Sequence, residues 1–359
     1  MKKKILSVLL CTAMVASLAI GCGSKDQKDA GTSGSDGGSS SGSDVTIEVV
    51  AKGFQHDFWK AVNSGAEQAA EKYGAKMNFV GPKDESAVAE QVEQLNNAIN
   101  KKPSAIVLAS LDPESVKGAL DTAASQNIPV VGFDSGVPGN DTIVANAATD
   151  NYAAGEMAAE NMYELIKDKV TDPSETVRIG VVSQDATSGS IIDRTAGFID
   201  KMVSLIGEDK ASVEGHDKYN NKVDGAKVVL EVGIPATVED AACVTVANTL
   251  LNKADLVAIY GSNEFAAKNI ITANESLDKL GADKIIGVGF DAGKIQLDAV
   301  RNGIFAGSIT QNPVQIGYQA VELAVKAANG EEVSDVDTGA LWYTADNIDN
   351  EEIAACLYE

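Results

Sequence analysis

The chain has 359 residues, 44% of them hydrophobic and 23% charged, with 29 Lys and Arg against 52 Asp and Glu, a formal net charge of −23. A body this acidic repels phosphate backbones and anionic lipid, which argues against nucleic acid or a bare membrane surface as partner. With two histidines, His56 and His216, and no Cys/His cluster at metal-ligand spacing, no metal or other cofactor is expected.

Lys2, Lys3 and Lys4 open the chain, an apolar run covers Ile5 to Ile20, and Gly21-Cys22 follows. The run is about 16 residues, shorter than the roughly 20 a membrane span needs and of the size of a signal-peptide core. Leu18-Ala19-Ile20-Gly21-Cys22 resembles the lipobox of bacterial lipoproteins, with Ala19 where that motif most often has Leu. The resemblance implies cleavage before Cys22, so that residues 1–21 are a signal peptide, and lipidation of the Cys22 thiol. Residues 22–44 then read as a tether: beyond Cys22 they contain no apolar side chain larger than Ala30. Gly/Ser chains of this kind cannot bury enough surface to fold, and at this length span about 26 Å. That predicts a body held just off the outer face of a cell membrane, touching it through the anchor only, in a bacterium of Gram-positive type. Of the four cysteines, Cys11 lies in the signal, leaving Cys243 and Cys356 as either a disulfide, which export permits, or two buried thiols.

About 315 residues remain, more than one core usually manages, so two domains are expected. Val45–Ala51 reads as a strand, Phe58–Tyr73 as a helix with Gly74 closing it, and Met77–Val80 as a strand. A helix over Ser86–Asn100, a strand over Ala105–Ala109, a helix over Pro113–Gln126 and a strand over Pro129–Phe133 follow. The pattern then restarts, with strands over Val177–Ser183, Val228–Val232, Leu256–Tyr260, Ile285–Phe290 and Gly307–Thr310. Between them helices are predicted over Ile192–Leu205, Val238–Leu251, Glu264–Lys279 and Lys294–Asn302. Repeated βα units with short apolar strands mean parallel sheets with helices on both faces.

Each half ends a strand in the same tripeptide, Gly132-Phe133-Asp134 and Gly289-Phe290-Asp291. In open α/β sheets ligands bind beyond the carboxyl ends of the strands. A carboxylate there in each half would let two lobes grip one ligand. Either Asp alone is equally a helix cap or turn residue; the recurrence of the tripeptide favours the site.

These tripeptides belong to a longer series: Phe54-Gln55-His56-Asp57-Phe58-Trp59, Gly132-Phe133-Asp134-Ser135, Ala148-Thr149-Asp150-Asn151, Asp193-Arg194-Thr195-Ala196-Gly197-Phe198, Gly261-Ser262-Asn263-Glu264, Gly289-Phe290-Asp291 and Ile309-Thr310-Gln311-Asn312-Pro313. In this order and spacing, from Val45 to about Tyr343, the chain resembles the type I periplasmic-binding-protein family, in its ribose- and galactose-binding branch. The resemblance implies two Rossmann-like lobes with parallel sheets joined by a three-segment hinge. It divides the body into 45–150 plus 312–338 for one lobe and 151–311 plus 339–359 for the other. It also implies a monomeric, solute-binding subunit of an ABC importer, closing on a monosaccharide or polyol and docking on a membrane permease.

Carried over by position, Phe58 and Trp59 would offer aromatic faces to the C–H surfaces of a sugar, and His56 would hydrogen-bond a hydroxyl. Asp134 and Asp291 would accept from hydroxyls, one per lobe. Arg194 would donate in fork geometry, its charge balanced by Asp134 and Asp291. Asn263 and Gln311 would each offer a donor and an acceptor. Two departures mark the pocket as other than ribose-shaped. Ser135 stands where the ribose binder has an arginine, so one charged donor is missing, and Ile234–Val238 lacks the aromatic expected of the second lobe. The stretch from Glu208 to Val223, with Tyr219-Asn220-Asn221, is also longer than usual.

Other functions fit less well. A glycosidase could use two carboxylates facing a sugar, but no segment resembles a hydrolase motif, and the expectation is that Arg194 keeps both Asp ionised with no raised-pKa acid nearby. A sensor engaging a membrane receptor, or a binder of a non-sugar small molecule, would use the same site.

Overall fold

The computed structural model describes residues 45–54 and 56–359. The expectations for the signal peptide, Cys22, the tether and Gln55 lie outside these residues. In chain order the elements are β1 (Thr46–Val50), α1 (Asp57–Tyr73), β2 (Lys76–Val80), α2 (Val88–Asn100), β3 (Ala105–Leu108), α3 (Pro113–Ser125), β4 (Val130–Phe133), β5 (Ile143–Ala148) and α4 (Asn151–Val170). There follow β6 (Val177–Val182), α5 (Gly189–Ile206), β7 (Ala211–Glu214), β8 (Val228–Gly233), α6 (Asp240–Leu251), β9 (Leu256–Gly261), α7 (Glu264–Leu277), β10 (Ile286–Phe290) and α8 (Lys294–Arg301). The chain closes with β11 (Phe305–Gln311), α9 (Pro313–Ala328), β12 (Val336–Asp337), β13 (Ala340–Tyr343) and α10 (Glu351–Ala354).

The strands form two sheets, of order β12-β5-β4-β3-β1-β2 and β13-β11-β10-β9-β6-β8-β7. Every pairing between these strands is parallel except β11 with β13. Both faces of each sheet are covered, which is why the strands read as unbroken apolar runs. In the first sheet Ile47, Val49 and Val107 face a core shared with α1 and α9, while Val50, Ile106 and Leu108 face one shared with α2 and α3. The second sheet divides in the same way between α4 with α5 and α6 with α7. The chain passes from the first sheet to the second after β5, returns after β11 into α9, and passes again between β12 and β13.

Several elements carry no clear signal in sequence. Helix α4 has a buried face made largely of Ala154, Gly155, Ala158 and Ala159, too small to mark an apolar stripe. Strand β5 reads Ile-Val-Ala-Asn-Ala-Ala, with no β-branched residue past Val144. Helix α2 starts two residues later than its periodicity implies, because the Asp84 carboxylate accepts from both the backbone N–H and the hydroxyl of Ser86, making a turn before the helix. The long segment after α5 contributes β7 to the edge of the second sheet. Cys243 and Cys356 are both buried free thiols.

In each half two helices cross at paired glycines. A Cβ on Gly65 of α1 would lie 1.9 Å from the Val314 carbonyl oxygen, and one on Gly317 of α9 would lie 1.9 Å from that of Val62. In the other half, a Cβ on Gly155 of α4 would lie 2.3 Å from the carbonyl oxygen of Arg194, and one on Gly197 of α5 would lie 2.1 Å from that of Tyr152. Backbones this close exclude any side chain, so these contacts fix where α1 and α5 stand. Those two helices carry Trp59 and Arg194.

Candidate ligand-binding site

The carboxyl ends of the two sheets face one pocket, lined from the first half by Lys52, His56, Phe58, Trp59, Glu85 and Asp134. The second half contributes Ser190, Ile191, Arg194, Asn263, Glu264, Asp291 and Gln311. Eight of the nine residues expected from sequence line it. The ninth, Ser135, sits directly behind, its hydroxyl within hydrogen-bond distance of the Asp134 carboxylate at 2.9 Å and of the Ser190 hydroxyl at 2.7 Å.

The two Gly-Phe-Asp ends adopt the same backbone. Asp134 has φ 52° and Asp291 φ 72°, the left-handed region that Asp tolerates better than most residues. That turn lifts each carboxylate off its strand and aims it at the space between the lobes. The Asp291 carboxylate accepts from Gln311 Nε2 at 2.6 Å and from the first backbone N–H of α7, that of Glu264, at 3.2 Å.

Arg194 stacks on Phe290, its guanidinium carbon 3.9 Å from the ring centroid. Its Nε donates to Asn151 Oδ1 at 2.8 Å, and Nη1 lies 3.5 Å from Asp291 Oδ2. Asp134 does not share in balancing it, contrary to expectation. That carboxylate is taken by Lys52, whose ammonium stands 3.1 Å from Asp134 and 3.9 Å from Glu85. Lys52 also donates to the hydroxyls of Ser135 at 3.0 Å, Ser188 at 3.1 Å and Ser190 at 3.4 Å. The charged donor missing at Ser135 is therefore supplied from the end of β1. Burial works against the Lys52 charge, but Asp134, Glu85 and Asp185 outweigh it and hold its pKa above the ordinary lysine value.

Glu85, on the loop before α2, was not expected in the site. It accepts from the Trp59 indole N–H and from the Gln184 side-chain amide, each at 2.9 Å. Gln184 in turn accepts from Asn263 Nδ2 at 2.6 Å. Burial raises the Glu85 pKa, yet Lys52 and His56 with these two donors bring it below the usual carboxylate value. Asn263 has both halves of its amide engaged, because its Oδ1 also caps α7 through the Ala266 N–H at 3.0 Å. One N–H and the carbonyl oxygen of Asn263 are thus engaged within the protein, leaving its second N–H toward the pocket it lines. Gln311 differs: with Nε2 on Asp291, its buried Oε1 has no partner among the described residues.

Phe58 and Trp59 are both buried, their rings edge-to-face at 5.0 Å. Phe58 also meets Tyr358 edge-on at 6.1 Å, so the end of the chain packs against the start of α1. His56 packs edge-on to Phe265 at 6.2 Å, and burial holds its pKa below the ordinary value. Glu264 corrects the expectation that no raised acid stands here: burial, with Asp291 and Asp57 nearby, pushes it up to about 8. Asp291 is raised too, by burial, against the pull of Arg194, Gln311 and the Glu264 N–H. Neither shift was foreseeable without the packing. Ile234–Val238 does not line the pocket, where Ile191 is the aliphatic contribution of the second half.

A family model for a periplasmic binding protein domain matches residues 47–332. Among curated proteins, the chain is 25% identical over 298 residues to a ribose import binding protein of Haemophilus influenzae, spanning 82% of this chain and 89% of that one. It is 25% identical over 291 residues to the ribose import binding protein of Bacillus subtilis, spanning 81% and 84%. Among solved structures, a chain from Brachyspira murdochii described as an ABC transporter, LacI family transcriptional regulator, is 38% identical with a TM-score of 0.74, over 88% of this chain and 99% of that one. An ABC transporter solute-binding protein from Agrobacterium vitis with bound D-fucose is 32% identical with a TM-score of 0.74, over 87% and 100%.

Proposed function

The chain belongs to the periplasmic binding protein family, and on that premise we propose that it is the solute-binding component of an ABC importer, capturing a monosaccharide or related polyol between its lobes and handing it to a membrane permease. The observation that carries this reading is the pocket itself. It draws a carboxylate from each half on matching Gly-Phe-Asp turns, a stacked arginine, and two aromatic side chains from one helix start. Polyols need acceptors and donors in a fixed array with apolar surface beside them, and this set supplies all three. Relatives with bound D-fucose and D-arabinose support the ligand class.

In this reading Asp134, Asp291 and Arg194 bind hydroxyls, His56 and Gln311 add further polar contacts, and Phe58 with Trp59 covers the apolar face of the ring. Ser135 and Asn263 act behind them, holding Lys52 and Gln184. The lobes hinge about the three crossing segments, open to admit ligand and closed to hold it. The body is a monomer, anchored through Cys22 to the outer face of the cell membrane by its Gly/Ser tether. Binding, not catalysis, is the function assigned. Thermal-shift screening of sugars and polyols tests the reading: a stabilising hit lost in Arg194→Ala supports it, and hits confined to amino acids or nucleosides refute it.

A further inference from the structure

The polar groups of the pocket are unevenly matched. Toward Asp134, the carboxylates of Asp134 and Glu85 are covered by Lys52, the serine hydroxyls, Trp59 and Gln184. Toward Asp291, acceptors outnumber donors. Glu264 Oε2 and Gln311 Oε1 are buried, line the pocket, and have no hydrogen-bond partner among the described residues. Gln311 cannot turn its amide to relieve this, since its Nε2 is held on Asp291 at 2.6 Å. Buried acceptors left unpaired are costly, so their partner is to be sought in what the pocket receives.

The charge is uneven as well. Three carboxylates, Glu85, Asp134 and Asp291, face the ammonium of Lys52 and the guanidinium of Arg194, and Glu264 adds a fourth carboxyl. The groups around Glu264 do not neutralise it. Asp57 comes from α1, Asp291 from the end of β10, and the hydroxyls of Tyr343 and Tyr358 from the end of the chain, that of Tyr358 hydrogen-bonding Glu264; Lys60 and Lys268 are cations near it, and Arg194 stands 3.5 Å from Asp291. Lys60 is fully exposed and paired with Asp57 at 2.5 Å, and Lys268 is paired with Asp240 at 2.8 Å. A ligand group placed here meets mainly oxygens, the unpaired Glu264 Oε2 and Gln311 Oε1 among them, with Arg194 engaged on Asp291 and the Tyr358 hydroxyl on Glu264.

We propose that the ligand carries a protonated amine, an amino sugar or amino polyol, whose ammonium is received by Asp291, Glu264 and Gln311. An ammonium offers three donors and no acceptor, which matches one free acceptor on each of Glu264 and Gln311 beside the Asp291 carboxylate. This inference rests on the reading of the pocket as a carbohydrate site and narrows it to one class. It also has a chemical consequence: Glu264, protonated near neutrality in the protein alone, loses its proton to solvent when the ammonium arrives.

The test is calorimetry on the detergent-solubilised full chain, with glucosamine, galactosamine and mannosamine against their hydroxyl parents and N-acetyl derivatives. One amino sugar is expected to bind at least about ten-fold more tightly than both of its neutral counterparts. In Glu264→Gln that preference falls to near equality while the unfolding transition is kept. Because a variant can disturb the fold, the wild-type chain provides the second readout. At pH 6.5, titrations in buffers of different ionisation enthalpy are expected to show release of up to about one proton with the amino sugar and none with a neutral sugar. Equal or tighter binding of neutral sugars, or no proton release, overturns the inference and leaves the carbohydrate reading standing. Binding of putrescine or an amino acid with no sugar of either kind overturns both.

Discussion

Gln184 donates its side-chain amide to Glu85 at 2.9 Å, joining the loop after β6 in one half of the molecule to the loop before α2 in the other. The other Glu85 oxygen holds the Trp59 indole at 2.9 Å, and Gln184 is braced by Asn263. One carboxylate therefore couples the start of α1 to the start of α7 across the cleft. None of these groups has a strong signature alone. Together they form one hydrogen-bonded chain between the two halves.

Glu85→Gln keeps the shape and removes the charge. Hydrogen bonds to charged groups contribute about 1.5–3 kcal/mol, so ligand affinity should fall by roughly ten-fold or more. Isothermal titration reads the loss, and Trp59 fluorescence should report a changed indole environment. Unaltered affinity would mean the cleft bond does not support the bound form.

Lys52→Met tests the charge balance at the other end. It leaves Asp134 and Glu85 buried without their cation, a change that costs about 3–5 kcal/mol in buried pairs. Affinity should drop by at least about 100-fold. Lowering the pH should restore part of it, because Glu85 freed of Lys52 takes up a proton more readily. A loss that stays the same at low pH would point to packing in place of charge.

Gly155→Ala concerns the helix crossing that positions Arg194. The added methyl would meet the Arg194 carbonyl oxygen at 2.3 Å, and overpacking of this kind costs about 1–3 kcal/mol. Urea unfolding should show that loss, and ligand affinity should fall with it because Arg194 moves. Wild-type stability in this variant would show that α4 and α5 can separate freely.

Stability should also depend on pH through groups shifted in opposite senses. Glu264 goes from 4.5 to about 8 on folding, so its contribution is full below pH 4.5 and is lost as the pH rises through about 8. Asp291, also raised, acts in the same sense. His56 is lowered from 6.5, so its contribution is present above 6.5 and is lost as the pH falls below it. Chemical unfolding should therefore show stability declining between pH 6.5 and 8.5, and Glu264→Gln should flatten that decline. A decline unchanged in the variant would assign it to other groups.

The alternation of strands and helices was legible because parallel strands buried on both faces leave short apolar runs, as in Ala105–Leu108 and Ile286–Phe290. Asp134 and Asp291 were legible because one tripeptide serves both halves. Lys52 and Glu85 were not, since each reads locally as a surface residue and only packing shows them meeting. The Glu264 shift likewise depends on burial and on Asp57 and Asp291, distant in sequence. Helix α4 escaped notice because alanine and glycine bury as well as larger residues but leave no pattern.

The central claim is capture of a sugar or polyol between the lobes. Isothermal titration of the purified protein against a panel of neutral sugars, amino sugars and polyols tests it directly, with amino acids and nucleosides alongside. At least one member of the carbohydrate set should bind at micromolar affinity or tighter, and Arg194→Ala should abolish that binding while the unfolding transition persists. Binding confined to amino acids or nucleosides, or binding that survives Arg194→Ala unchanged, would contradict it.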